Sequence, residues 1–180
     1  MKLQKMFEMQ KELDDRIIKE KGLEGQDLLP NLILALQVEL AECANEWRGF
    51  KHWSNDREPR ICVIDKKGQT AKEYYKNPLL EEYVDCLHFL LSIGNKIGVK
   101  EYVPFRLLTL TNDITGIFNL IFRLIGQWDR LFLFIEHDPY HVVMYQFLQL
   151  GEALGFTPDQ IEAAYMDKNA VNHKRQQEEY

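Results

Sequence analysis

Two acidic pairs, Glu39-Leu40-Ala41-Glu42 and Glu82-Tyr83-Val84-Asp85, lie inside apolar segments of helical period. Residues three apart share one face of a helix, so each pair projects two carboxylates side by side. The flanking leucines require both helices to pack into one core, which brings the pairs towards each other. Like charges about 4 Å apart repel by roughly 4 kcal/mol at an effective dielectric near 20, so such a cluster needs protons or cations. All-oxygen ligands select hard ions, and Mg²⁺ is commonly held between carboxylates and substrate phosphates. The chemistry implied is that of nucleotides. The competing reading is two solvated helix faces, but neither pair has a lysine within one helical turn. His88, three residues after Asp85, raises a di-iron alternative, which needs E-x-x-H pairs on two helices; this chain has none.

Other residue types fit such a site. Gln10 interrupts the apolar stripe of Leu3, Met6, Leu13 and Ile17. A buried amide must be hydrogen-bonded, either to a protein group or to the edge of a ligand. Trp47-Arg48-Gly49-Phe50-Lys51-His52-Trp53 interleaves aromatic and basic side chains, a composition that caps a core or sandwiches a base and pairs with phosphate. Near the C-terminus, Ile161 and Tyr165 begin a face that continues as Lys168, Asn169, Asn172, Arg175 and Gln176. That row is either an exposed surface or a grip for a triphosphate and a base.

The elements that must position these groups are helical. The first spans about residues 3–21. A second begins around Asp27 to Pro30 and runs through Trp47, with Leu32, Ile33, Leu36, Leu40 and Cys43 inward. From Arg48 to Lys76 the period fails, which predicts a long irregular segment with a short strand at 61–64. Asn77-Pro78 supplies an N-cap and first-turn proline for a helix ending between Gly94 and Gly98. Residues 111–136 are apolar over more than one stripe, which predicts a central helix or one shared across a homodimer. Pro139 opens a further helix, and Thr157-Pro158-Asp159-Gln160 is a capping box for the last. The fold class predicted is all-α: a single domain over 1–180 with an irregular insertion near 48–77.

The chain has 180 residues, a hydrophobic fraction of 46% and a formal net charge of −6, which argue for a globular protein with no affinity for a nucleic-acid backbone. Three cysteines form no C-x-x-C pair or even disulfide set, a pattern expected of a reducing compartment. With neither a signal-peptide pattern nor a membrane-length apolar run, the expectation is a cytoplasmic protein with no membrane partner.

The two acidic pairs resemble the E-x-x-E and E-x-x-D signature of the all-α NTP pyrophosphatases, and within them the dimeric dUTPase family. The likeness extends to Met6-x-x-x-Gln10-x-x-Leu13, Asn45-Glu46-Trp47 running into Phe50-Lys51-His52-Trp53, the block 81–94, and Tyr165-x-x-Lys168-Asn169-x-x-Asn172-x-x-Arg175-Gln176. Asp14 stands where the family pattern has asparagine, and Glu179 where it has glycine. The resemblance implies a Mg²⁺-dependent enzyme that hydrolyses dUTP, and also dUDP, to dUMP. Glu39, Glu42, Glu82 and Asp85 would hold the metal, with Glu39 or Glu42 acting on the attacking water. Lys168, Arg175 and Tyr180 would bind phosphates. Gln10 with Asn169 or Asn172 would read uracil, and an aromatic from Phe50 to Trp53, flanked by Lys51 and His52, would pack on the ring. The alternatives are a pyrophosphatase for dCTP or a modified base, and a helical module that binds a protein through residues 111–136.

Overall fold

The computed structural model describes residues 1–68, 70–99, 101–102, 113–128 and 139–178. In chain order these form α1 (Leu3–Glu20), α2 (Leu29–Trp47), β1 (Val63–Ile64), α3 (Ala71–Tyr74), β2 (Tyr75–Lys76), α4 (Pro78–Ile97), α5 (Ile114–Gly126), α6 (Pro139–Ala153) and α7 (Pro158–Gln177). The fold is all-α, as expected, apart from one antiparallel ribbon pairing Val63 with Lys76 and Ile64 with Tyr75. No helix among the described residues is long and apolar enough to cross a membrane.

Local sequence explains where the site's helices start. Asn77 Oδ1 accepts from Leu80 N at the head of α4, and Pro78 occupies the first turn, where its missing N–H costs nothing. Thr157 Oγ1 accepts from Gln160 N while the Gln160 side chain accepts from Thr157 N, closing the capping box of α7. At the end of α2, Arg48 adopts φ 65, unusual for a residue with a Cβ. Its guanidinium compensates by donating to the Asp56 carbonyl and carboxylate at 2.7 and 2.8 Å.

Helix α4 is the centre of the molecule. Leu79, Tyr83, Val84, Cys86, Leu87, Leu90, Leu91 and Ile93 are all buried, so its apolar surface wraps nearly round, as a helix packed on several sides requires. It contacts α1, α2, α6 and α7. One close approach depends on glycine: a Cβ at Gly94 would meet a Phe7 ring carbon and Cζ of Tyr140, each at 2.7 Å. Both rings are buried, and Tyr140 Oη is tied to the Leu90 carbonyl. Gly94→Ala is therefore expected to destabilise the protein by about 1–2 kcal/mol, because overpacking outweighs alanine's better helix propensity. Urea unfolding tests this; a raised midpoint would mean that the rings yield.

Within the apolar stretch 111–136, residues 111–112 and 129–136, including Phe132, lie outside the described residues. In the described part, Ile117, Phe118, Leu120, Ile121, Leu124 and Ile125 are buried within a single chain. Helix α5 packs on α6 and α2.

Candidate active site

Glu39 and Glu42 leave α2 beside the line of Leu36, Leu40 and Cys43 that is buried against α4. Their carboxylates and that of Glu82 on α4 lie within 4.8 Å of one another. Partial burial and then the neighbouring acids Asp85, Glu42 and Glu39 push the Glu82 carboxyl up to about 7. Burial and then Asp85 and Glu42 also raise Glu39. Three converging carboxylates from two rigid helices fit a hard divalent cation, which relieves the repulsion that otherwise holds a proton in the cluster.

The fourth carboxylate is arranged differently. Asp85 Oδ2 accepts from Lys168 Nζ of α7 at 2.5 Å, and Lys168 also stands 3.7 Å from Glu81. Burial raises the Asp85 carboxyl, and Lys168 opposes that rise. The ammonium, absent from the helical turns flanking either acidic pair in the sequence, arrives from a helix more than 80 residues away and serves as countercharge.

A cavity of about 580 Å³ opens beside the cluster, with Glu39 and Asp85 in its wall. Its size suits a small organic ligand. Helix α7 contributes Lys168, Asn172 and Arg175, and α1 contributes Gln10 and Asp14. Of the row of amide and cationic groups expected from the C-terminal sequence, Lys168, Asn172, Arg175 and Gln176 line this space, and Lys168 closes directly onto Asp85.

Gln10 is buried, and protein groups occupy its amide. Nε2 donates to Asp14 Oδ1 and Ser92 Oγ at 2.9 and 3.0 Å, while Oε1 accepts from Tyr165 Oη at 3.1 Å and lies 2.6 Å from His88 Nδ1. Of the two roles open to it from sequence, satisfied core amide or ligand reader, these contacts fill the first. Burial pushes the Asp14 carboxyl up to about 6, against the lowering effect of hydrogen bonds from Gln10 and Ser92.

The aromatic segment packs elsewhere. Phe50 stacks near Trp47 with centroids 6.4 Å apart, Trp53 meets Phe50 edge-on, and His52 meets Trp53 edge-on. Lys51 Nζ lies 5.7 Å from the Phe50 ring centroid. None of Phe50, Lys51, His52 and Trp53 lines the cavity, and Trp53 is 67% exposed. Asn169 is buried and its side chain hydrogen-bonds Tyr165, and Tyr180 lies outside the described residues. Asp14, noted in the sequence only as a departure from the family pattern, and Ser92, which carried no signal beyond lying one turn after His88, do line the cavity.

An all-helical bundle with an acidic cluster at the wall of a cavity, opposed by lysine, arginine and amides, has the make-up of a nucleotide hydrolase. The chain belongs to the dUTPase family, whose sequence model matches residues 2–180. It is accordingly a dUTP diphosphatase, an enzyme of nucleotide metabolism that hydrolyses dUTP. No curated protein matches the chain.

Proposed function

We propose that the enzyme hydrolyses dUTP, and dUDP, to dUMP in a Mg²⁺-dependent reaction, releasing pyrophosphate from dUTP. The observation that carries this reading is the convergence of Glu42 and Glu82 on Glu39, which lines the cavity together with Asp85, Lys168 and Arg175. Glu39, Glu42, Glu82 and Asp85 would hold the metal. Mg²⁺ held there would make water a better nucleophile and neutralise charge developing on the phosphates. Glu39, which reaches both the cluster and the cavity wall, orients the attacking water. Lys168 and Arg175 take the phosphates, while Asn169 or Asn172 contacts the base. Assembly as a homodimer through the 111–136 segment and a cytoplasmic location complete the reading.

A panel of deoxynucleoside triphosphates, assayed for pyrophosphate release with Mg²⁺ and with a chelator, tests it. The expected result is strong preference for dUTP and no turnover under chelation. Preferred turnover of dCTP or another triphosphate would reassign the base.

The raised Glu82 carboxyl gives a further expectation. Its proton and Mg²⁺ compete for the same oxygens, so at limiting Mg²⁺ the rate should rise as pH increases through about 7. Higher Mg²⁺ should move that rise to lower pH. A pH profile whose midpoint is indifferent to Mg²⁺ concentration counts against metal binding at this cluster.

A further inference from the structure

Charge and exposed apolar surface are both unevenly distributed over the chain. Residues 48–76 carry eight Lys and Arg against four Asp and Glu, whereas the remaining residues carry fourteen against twenty-four. An acidic protein thus bears one cationic segment. Among the described residues eight large hydrophobic side chains stand exposed, and five of them fall in that segment: Trp53 in the aromatic run, and Ile61, Val63, Ile64 and Tyr75 on the ribbon or beside it. Apolar side chains scattered singly over a surface are ordinary, but a cluster of them marks a place that meets a partner.

The ribbon also leaves a strand edge open. Val63 pairs with Lys76 and Ile64 with Tyr75, and Asp65 N donates to the Tyr74 carbonyl at 2.8 Å. Peptide groups alternate in direction along a strand, so those of Val63 and Asp65 turn towards β2 and those of Ile64 turn away from it. Neither β1 nor β2 has another strand neighbour among the described residues. Ile64 and Tyr75 therefore form the pair whose side chains approach most closely, an apolar face with 53% and 58% of the two residues exposed. The turn after β1 adds Lys66 and Lys67, both exposed and neither paired with a carboxylate among the described residues. Lys76 is already engaged by Asp65 at 2.9 Å.

We propose that the free edge of β1 accepts an extended acidic segment of a partner protein as a third strand. The peptide groups of that segment pair with those of Ile64, its apolar side chains lie on Ile64 and Tyr75, and its carboxylates face Lys66 and Lys67. Charge selects this occupant. A second ribbon added edge to edge would bring Lys66 and Lys67 against their own copies, and like charges at an exposed edge oppose such pairing. A nucleic-acid strand would leave the outward peptide groups of Ile64 without ladder partners and would find mostly aliphatic side chains where it needs rings for stacking. An acidic strand satisfies the edge, the apolar face and the lysines together.

The chain supplies its own probe position. Cys62 is exposed two residues before Ile64, whereas Cys43 and Cys86 are buried, so an environment-sensitive fluorophore can be placed beside the ribbon of the full-length protein. The labelled protein is titrated with short capped peptides, and calorimetry on unlabelled protein checks the ranking. A peptide alternating valine with glutamate should bind at least about tenfold more tightly than one alternating valine with lysine. Methylating the backbone nitrogens that donate to the ribbon keeps the charge and should weaken the glutamate peptide about tenfold or more. Lys66→Glu combined with Lys67→Glu should reverse the preference between the two peptides. Ile64→Thr combined with Tyr75→Thr should lower affinity for the glutamate peptide about tenfold or more, with the thermal midpoint unchanged. The proposal is overturned by equal binding of the two peptides, by an N-methylated peptide that binds as well as its parent, or by an oligothymidylate that binds more tightly than the glutamate peptide. Self-association in sedimentation that the Ile64→Thr, Tyr75→Thr pair abolishes would assign the edge to a second copy and overturn it equally. If that double variant does not fold, the charge-reversed one decides the matter.

Discussion

Glu82→Gln is expected to reduce dUTP turnover by a factor on the order of 10³ or more, equivalent to about 4 kcal/mol of transition-state stabilisation. The side chain is central to the acidic cluster, within 4.8 Å of Glu39 and Glu42. A neutral amide there removes a ligand charge while preserving shape. The metal-free protein should respond in the opposite sense. A carboxyl raised in the folded state to about 7 from an ordinary 4.5 binds its proton more tightly folded than unfolded. Its contribution to stability is complete below pH 4.5 and is lost as pH rises through about 7. Glutamine has no proton to lose, so above pH 7 the metal-free variant should be more stable than the wild type by about 1 kcal/mol, a figure already reduced for solvent screening. Thermal melts across pH in chelator, repeated with Mg²⁺, separate the effects. Mg²⁺ should stabilise the wild type strongly and the variant little. A variant that retains a tenth of wild-type turnover would remove Glu82 from the metal site.

Lys168→Met is expected to separate metal binding from turnover. In the ligand-free protein the ammonium is held by Asp85 at 2.5 Å, with both side chains largely buried. Removing it leaves a partly buried carboxylate unpaired and should destabilise the metal-free enzyme by about 1–3 kcal/mol. Asp85 is then free to take a cation, so Mg²⁺ should bind more tightly than in the wild type. Turnover should nevertheless fall by a factor on the order of 10² to 10³, because a fixed positive charge opposite the phosphates is gone. Calorimetric Mg²⁺ titration beside steady-state kinetics measures both. Weaker Mg²⁺ binding with unchanged kcat/KM would show that Lys168 serves the metal cluster alone.

Much of the fold was legible because its signals are local. Asn77-Pro78 and the Thr157 capping box each mark a helix start within one turn, and α4 and α7 begin there. The ribbon was less legible. A strand was expected over 61–64, but only Val63 and Ile64 pair, because β2 is just Tyr75 and Lys76. Helical period identifies the face a residue occupies, but not which residue of a distant helix it will meet. That is why the closing of Lys168 onto Asp85 and of Gln10 onto His88, separated by 83 and 78 residues, had no sequence signature. The aromatic run 47–53 could be recognised by composition, yet its rings meet one another and Phe118 of α5, partners that helical period does not specify.

The irregular stretch between α2 and α4 is fastened near its middle. Arg60 N donates to the Glu46 carbonyl at 2.9 Å, the Arg60 carbonyl accepts from Leu79 N at 3.1 Å, and its guanidinium pairs with the Glu46 carboxylate at 3.1 Å. One residue thus buckles the end of α2 to the start of α4, and the ribbon of β1 and β2 hangs outside the buckle. The spacing between the two acidic helices is consequently insulated from whatever is attached to that ribbon. Doubling the length of a flexible loop costs only about 0.6 kcal/mol in closure entropy. The ribbon is therefore the natural graft point of this enzyme, a place where sequence can be inserted, exchanged or tagged while the carboxylates of α2 and α4 keep their registration.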